Sequence, residues 1–307
     1  MKSISRRNFV HLSAAAAALT QLAPSKLIAS SKTYSGADVG IYVNLDTKNP
    51  DNTFKHISDL GFKKCEIYTG KYGMDMAKPL KEAIEKYNIK VLSLFTLGPG
   101  PTSWNFYEGQ KNIGLVSREY REGRVDAMIQ LSDLARECGI GMIETHVGFL
   151  PENPNDPNYT ETVDALKKVV GHCNKNNQYF LYHAGQETPT TMLRTILDVG
   201  FENQGIGMDT ANLIMYDRGH PTNSLDVYGK YIKLVNGKDG LYPTYPRNLG
   251  KEVQLGQGKV DFPSFIKRLK DIGYKGPVII EREASNGAQW EKDVLQSKKF
   301  LQDLLNS

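Results

Sequence analysis

The chain reads as an α/β protein built on one (β/α)8 barrel, and three observations carry that reading. Short apolar runs alternate eight times with amphipathic helical stretches, and 307 residues at 40% hydrophobic content can bury one full core. No composition shift marks a second domain, and ~275 residues for eight units is ordinary barrel size. An open doubly wound sheet would share the alternation but fits this size less well. No phosphate-cradling glycine motif follows the first strand, so a dinucleotide fold has no support.

The barrel is assigned to residues 36–307, and residues 1–30 are set aside as an export signal. Ser5-Arg6-Arg7-Asn8-Phe9 precedes an apolar run from Leu12 to Leu22 and the small-residue stretch Ile28-Ala29-Ser30-Ser31, which resembles a twin-arginine signal. The run is too short to span a bilayer, so no stable membrane span is expected after cleavage. A periplasmic or exported location follows as an expectation. Cleavage near Ala29 would remove Lys2, Arg6, Arg7 and Lys26, which together account for the formal net charge of +4. The basic balance therefore says little about partners, and with no basic patch elsewhere nucleic acid is not expected as one. Cys65, Cys138 and Cys173 are unclustered and fall in element interiors, as buried free thiols do.

The strands are expected at Gly40 to Val43, Lys64 to Tyr68, Val91 to Phe95, Gly141 to His146, Gln178 to His183, Gly205 to Asp209, Tyr231 to Asn236 and Pro277 to Glu283. Helices are expected around Thr53 to Leu60, Leu80 to Lys86, Gly123 to Cys138, Tyr159 to Asn174, Thr188 to Asp198, Pro221 to Tyr228, Asp261 to Gly273 and Glu291 to Leu305. Gly61 and Gly273 supply stop signals, and Thr188-Pro189 reads as an N-cap followed by proline.

Chemistry in such barrels sits at the carboxyl ends of the strands. The eighth strand, Pro277 to Glu283, is a β-branched run that closes on Glu281 and Glu283, placed on one side by the two-residue period with Arg282 on the other. Two like charges aimed at one place need a cation, a proton or ordered donors. The same period pairs Glu144 with His146 and Asn236 with Lys238. Strand five ends in His183 with Glu187 just beyond, and strand six ends in Asp209. Singly, each has a structural explanation, such as a hydrogen-bonded histidine or a turn cap. Together, His183, Asp209, Asn236 and Glu281 offer nitrogen and oxygen donors suited to one divalent ion. The long loop after strand three carries Trp104, Phe106 and Tyr107, where Trp104 either stacks on a sugar or pins the loop. Arg247 and Lys251 follow strand seven and could hold a phosphate or carboxylate.

Gly185-Gln186-Glu187, Asp209-Thr210-Ala211-Asn212-Leu213, Lys238-Asp239-Gly240, the run from Leu255 to Phe262 and Ile280-Glu281-Arg282-Glu283 resemble the sugar phosphate isomerase/epimerase family of xylose-isomerase-like TIM barrels. The resemblance spans essentially all of residues 36–307. It implies a divalent metal (manganese, cobalt, magnesium or zinc) held by positions matching His183, Asp209, Asn236 and Glu281, although His183 stands where the family has Glu and Asn236 where it has His. It also implies proton removal beside a carbonyl, with His183 as a candidate base, Glu283, Glu187 and His146 as further candidates and Lys238 facing a developing oxyanion. His146, Glu144, Trp104 and Arg247 are then candidates for substrate contact. Because an exported enzyme meets few sugar phosphates, an unphosphorylated carbohydrate is the expected small-molecule partner. The expected activity is isomerase or epimerase. The alternatives are a lyase or hydratase on a 3-keto-sugar or keto-glycoside, and a non-catalytic exported sugar-binding protein. A homo-oligomer would be ordinary for the fold.

Overall fold

A computed structural model describes residues 39–307. The expected export signal lies outside the described residues. Eight parallel strands close into a barrel: β1 (Val39–Asn44), β2 (Lys64–Tyr68), β3 (Lys90–Phe95), β4 (Met142–Thr145), β5 (Tyr179–His183), β6 (Gln204–Asp209), β7 (Ile232–Gly237) and β8 (Val278–Ile280). Each neighbours the next, and β8 returns to β1 with Ile280 opposite Ile41. The main helices are α1 (Pro50–Asp59), α2 (Ala77–Tyr87), α3 (Arg121–Glu137), α4 (Pro157–Lys175), α5 (Pro189–Val199), α6 (Pro221–Tyr228), α7 (Phe262–Asp271) and α8 (Gly287–Asn306).

Local chemistry explains the elements. In α7 the buried residues Phe262, Phe265, Ile266 and Leu269 fall at helical spacing and make one stripe against the barrel. Asp261 caps its start by accepting from Ser264 N, and Pro263 lies in the first turn, where its missing N–H costs nothing. In α4, Asp156 caps in the same way while Val163, Leu166, Val169 and Val170 turn inward. Truncating fully buried Leu166 to alanine would cost about 2–5 kcal/mol. Helix α1 starts at Pro50 rather than Thr53 because proline is preorganised for a first turn. The main core lies between strands and helices and includes Cys65 and Cys173; all three cysteines are free. No helix among the described residues is long and apolar enough to cross a membrane.

The barrel interior is layered by the two-residue strand period. Leu92, Leu181, Leu234 and Ile279 form an apolar plug with Met142 and Tyr42 packed against it. Two residues further along four of these strands come Glu144, His183, Asn236 and Glu281, all buried. Two residues on again come His146, Lys238 and Glu283. The polar site is thus the next storey of the same scaffold. Strand β8 is shorter than expected, ending at Ile280, yet Glu281 N still donates to Gly237 O at 3.2 Å, which keeps its side chain in phase.

Candidate active site

A cavity of about 520 Å³ opens at the carboxyl ends of the strands, lined among others by Trp104, His146, His183, Lys238, Glu281 and Glu283. Beneath it the buried side chains join in a ring-like series of contacts. Asn236 Nδ2 donates to Glu66 Oε2 at 2.7 Å and to Glu281 Oε2 at 3.0 Å. Lys238 Nζ donates to Glu281 Oε1 at 2.9 Å and to Asp209 Oδ2 at 3.3 Å, and also pairs with Glu283. His183 Nε2 lies 3.5 Å from Asp209 Oδ2, and its Nδ1 is 2.7 Å from Glu144 Oε1. Glu66 lies at the base of this set, where burial and then the nearby Glu144 charge raise its carboxyl.

The backbone is shaped to hold these contacts. Residue 207 on β6 is glycine because a Cβ there would overlap the Glu144 carboxyl. Asp209 serves two ends: its Oδ1 accepts from Ala211 N at 2.8 Å and Asn212 N at 2.9 Å, while Oδ2 faces Lys238 and His183. Asp209 therefore caps the following turn with one oxygen and faces the site with the other. Thr210 Oγ1 accepts from Lys238 N at 3.2 Å and donates to Lys238 O at 2.6 Å, fixing the main chain from which the lysine projects. Asp239 faces away and gathers Gly240 N, Gly256 N, Gly258 N and Val260 N on its two oxygens, organising the loop that follows.

Charges inside the ring set one another's protonation. Burial opposes ionisation of Asp209, but Lys238 and His183 outweigh it and hold the carboxyl down at about 2. Burial likewise opposes a charged His183, yet its bonds to Asp209 and Glu144 raise it well above the ordinary histidine range, so it is an imidazolium. Burial and then the His183 charge push His146 well below that range, so it is neutral. Burial lifts Glu281 to about 7, against the pull of Lys238. Burial and then Glu144 raise Glu66, which sits protonated at the base of the ring.

The structure sorts the expected residues. His183, Lys238, Glu281, Glu283, His146 and Trp104 meet at the cavity. Trp104 is 48% exposed and packs edge-on against His146, whose Nδ1 is 2.9 Å from Gln186 Oε1, so Trp104 presents open ring surface to the cavity. Phe106 does the pinning instead, packed on Tyr216. Glu144 does not reach the cavity: fully buried, it orients His183 rather than touching substrate. Glu187 is also outside the wall, buried and accepting from Gly185 N at 3.2 Å. Arg247 stacks over exposed Tyr107, 4.5 Å from the ring, rather than lining the cavity.

Three residues escaped the sequence reading. Glu66 lies in Lys64-Cys65-Glu66-Ile67-Tyr68, where it passes for a solvent-facing glutamate; its only signal is a charge in phase with inward positions. Glu252 accepts from Arg282 Nη1 at 2.6 Å and from Glu283 N at 3.0 Å, holding the end of the eighth strand run from the neighbouring loop. Arg124, 2% exposed, donates to Pro99 O, Gly114 O and Pro101 O and so ties down the loop carrying Trp104.

Among the described residues His183, Asp209 and Glu281 form a group whose ligand atoms lie within 4.8 Å of one another, a set with metal-site chemistry. As arranged, the set does not fit a divalent ion. Asn236 points its amide nitrogen at the carboxyls and acts as donor, and the Lys238 ammonium fills the space between Asp209 and Glu281.

A closed eight-stranded barrel with ionisable groups converging on its mouth defines a (β/α)8 barrel with a carboxylate-rich site at that mouth. The xylose isomerase-like TIM barrel family model matches residues 54–304, and the chain belongs to that family. It is similar to the crystal structure of a xylose isomerase domain protein from Planctomyces limnophilus, at 28% identity and a TM-score of 0.81 over 87% of this chain and 96% of that one. A xylose isomerase-like TIM barrel protein from Mycobacterium smegmatis, solved in complex with magnesium, shares 15% identity with a TM-score of 0.66, covering 89% of this chain and 98% of its own. The 3-keto-D-glucoside 4-epimerase YcjR of E. coli shares 16% identity with a TM-score of 0.61, covering 86% and 99% respectively.

Proposed function

We propose that this barrel is a sugar isomerase or epimerase acting on an unphosphorylated carbohydrate by moving a proton at a carbon beside a carbonyl. The observation that carries the reading is Glu281: a carboxyl held at about 7, on the wall of a sugar-sized cavity, with a lysine ammonium 2.9 Å away. A base poised near neutrality removes and returns a proton efficiently. Lys238 and the His183 imidazolium place positive charge beside the oxygen on which negative charge develops. Glu144 keeps His183 aimed at the cavity. Trp104 supplies an apolar face for a sugar ring, and Glu283, 58% exposed at the rim, accepts from hydroxyls. The 3-keto-glucoside chemistry of the E. coli barrel belongs to the same class and supports the reading.

A second reading shares the proton abstraction. The acceptor Glu281 and the donor His183 have atoms within 4.8 Å, on one floor of the cavity. Base and acid on one face also suit elimination, where the acid protonates a leaving group. Product mass separates the two, since isomerisation conserves it and elimination lowers it. Glu281→Gln tests both: turnover of keto-sugars should vanish while calorimetric sugar binding persists. A variant that retained wild-type turnover would remove Glu281 from the mechanism.

A further inference from the structure

We propose that Lys238 is the resident cation of this site, an ammonium standing where a divalent ion would otherwise bridge Asp209 and Glu281. The inference deepens the reading of the site as a sugar proton-transfer centre and rests on it for its chemistry, but its geometry stands alone.

Nζ is 2.9 Å from Glu281 Oε1 and 3.3 Å from Asp209 Oδ2, and also contacts Glu283. A divalent transition ion held by the same two oxygens would need them at about 2.0–2.2 Å, in the volume the ammonium occupies. Lys238 is 2% exposed, and its main chain is clamped by Thr210, so the side chain has no simple retreat. Three other ligand-type atoms around this position are already matched to nitrogen donors or committed elsewhere. Glu281 Oε2 accepts from Asn236 Nδ2, Asp209 Oδ1 accepts from two backbone N–H groups, and His183 Nδ1 faces Glu144. Turning the Asn236 amide over would set its oxygen against the carboxyls of Glu66 and Glu281. Histidine at 236 could ligate, whereas asparagine here serves a carboxylate cluster whose positive centre comes from the chain itself.

The chemical step balances without an added co-reactant. The substrate C–H bond breaks and its electron pair forms the enolate C=C. The carbonyl π pair moves to oxygen, the proton goes to Glu281, and the Lys238 N–H that the Glu281 carboxylate had accepted turns to the new oxyanion. Return of the proton from Glu281 to the former carbonyl carbon, with the proton of the neighbouring hydroxyl passing to the oxyanion to leave a new carbonyl there, completes an isomerisation with no net oxidation or reduction.

The test is metal binding, read without substrate. Purified wild-type chain, dialysed against chelator and then titrated with Mn²⁺, should carry well below one ion per chain by elemental analysis and give no saturable heat. Lys238→Ala and Lys238→Met, which vacate the ammonium position, should bind Mn²⁺ at least about tenfold more tightly than wild type, seen by electron paramagnetic resonance. A stoichiometric ion that wild type keeps through purification, or wild-type Mn²⁺ affinity equal to that of both variants, would overturn the proposal. Failure of the sugar reading shows separately, as absence of turnover on any sugar whatever the metal titration gives.

Discussion

Lys238 Nζ lies 2.9 Å from Glu281 Oε1 with both residues buried, the pair joining the carboxyl end of β7 to that of β8. Removing one partner leaves the other charge without compensation in a site shut off from water. Lys238→Met should therefore lower stability by about 3–5 kcal/mol in urea denaturation and, where folded, cut kcat by roughly 10²–10³-fold. Lys238→Arg should not restore turnover, because the planar guanidinium cannot take the place of a compact ammonium among three carboxylates.

Gly207 and Glu144 face each other across the barrel interior, with no room for a Cβ. Gly207→Ala should cost about 1–3 kcal/mol through overpacking. It should also lower kcat more than it raises KM, because Glu144 can no longer hold His183 Nδ1. Steady-state kinetics beside a thermal melt check both parts.

Arg124 donates to three carbonyls around the Trp104 loop from beneath. Arg124→Lys supplies a charge but not the fork, so KM for sugar should rise about tenfold, on the scale of one lost hydrogen bond to a charged group. Trp104→Ala should move KM in the same direction. Wild-type KM in both variants would mean that the loop does not contribute to binding.

Glu187 gives a pH signature. Burial raises its carboxyl from 4.5 to about 7. A folded-state value above the unfolded one means that its stability contribution is fully present below the unfolded value. It is lost as pH rises from the unfolded value through the folded one. Glu187 alone should lower stability across pH 4.5 to 7 by on the order of 3 kcal/mol, with Glu281 adding in the same direction, and Glu187→Gln should remove the Glu187 share of that slope in denaturant titrations at stepped pH.

How far the sequence reveals this site depends on strand phase. The two-residue period placed Glu144 with His146, Asn236 with Lys238 and Glu281 with Glu283, and each pair keeps that phase although its outer member lies past the end of its strand, as the Glu281 N–H to Gly237 O bond shows for the eighth strand. What the period does not carry is depth. Glu144 and His146 share a face, yet one lies fully buried behind His183 and the other borders the cavity. Glu66 was illegible because with Lys64 it makes β2 look like any strand with charged residues on one face, and only closure of the barrel brings it to Asn236. Arg247 sits in a loop whose course depends on tertiary contacts, and Tyr107 captured it. The position between Asp209 and Glu281 looked like a metal's from residue types alone, since the reach of Lys238 into it is a matter of side-chain packing.

The most direct measurement is incubation of the protein in D₂O with unphosphorylated sugars, glycosides and their 3-keto derivatives, read by mass spectrometry and NMR. The account predicts a product of conserved skeleton mass in which deuterium from solvent appears at a carbon beside the carbonyl, lost in Glu281→Gln. Sugars that bind by calorimetry but return without exchange, isomerisation or elimination would contradict it.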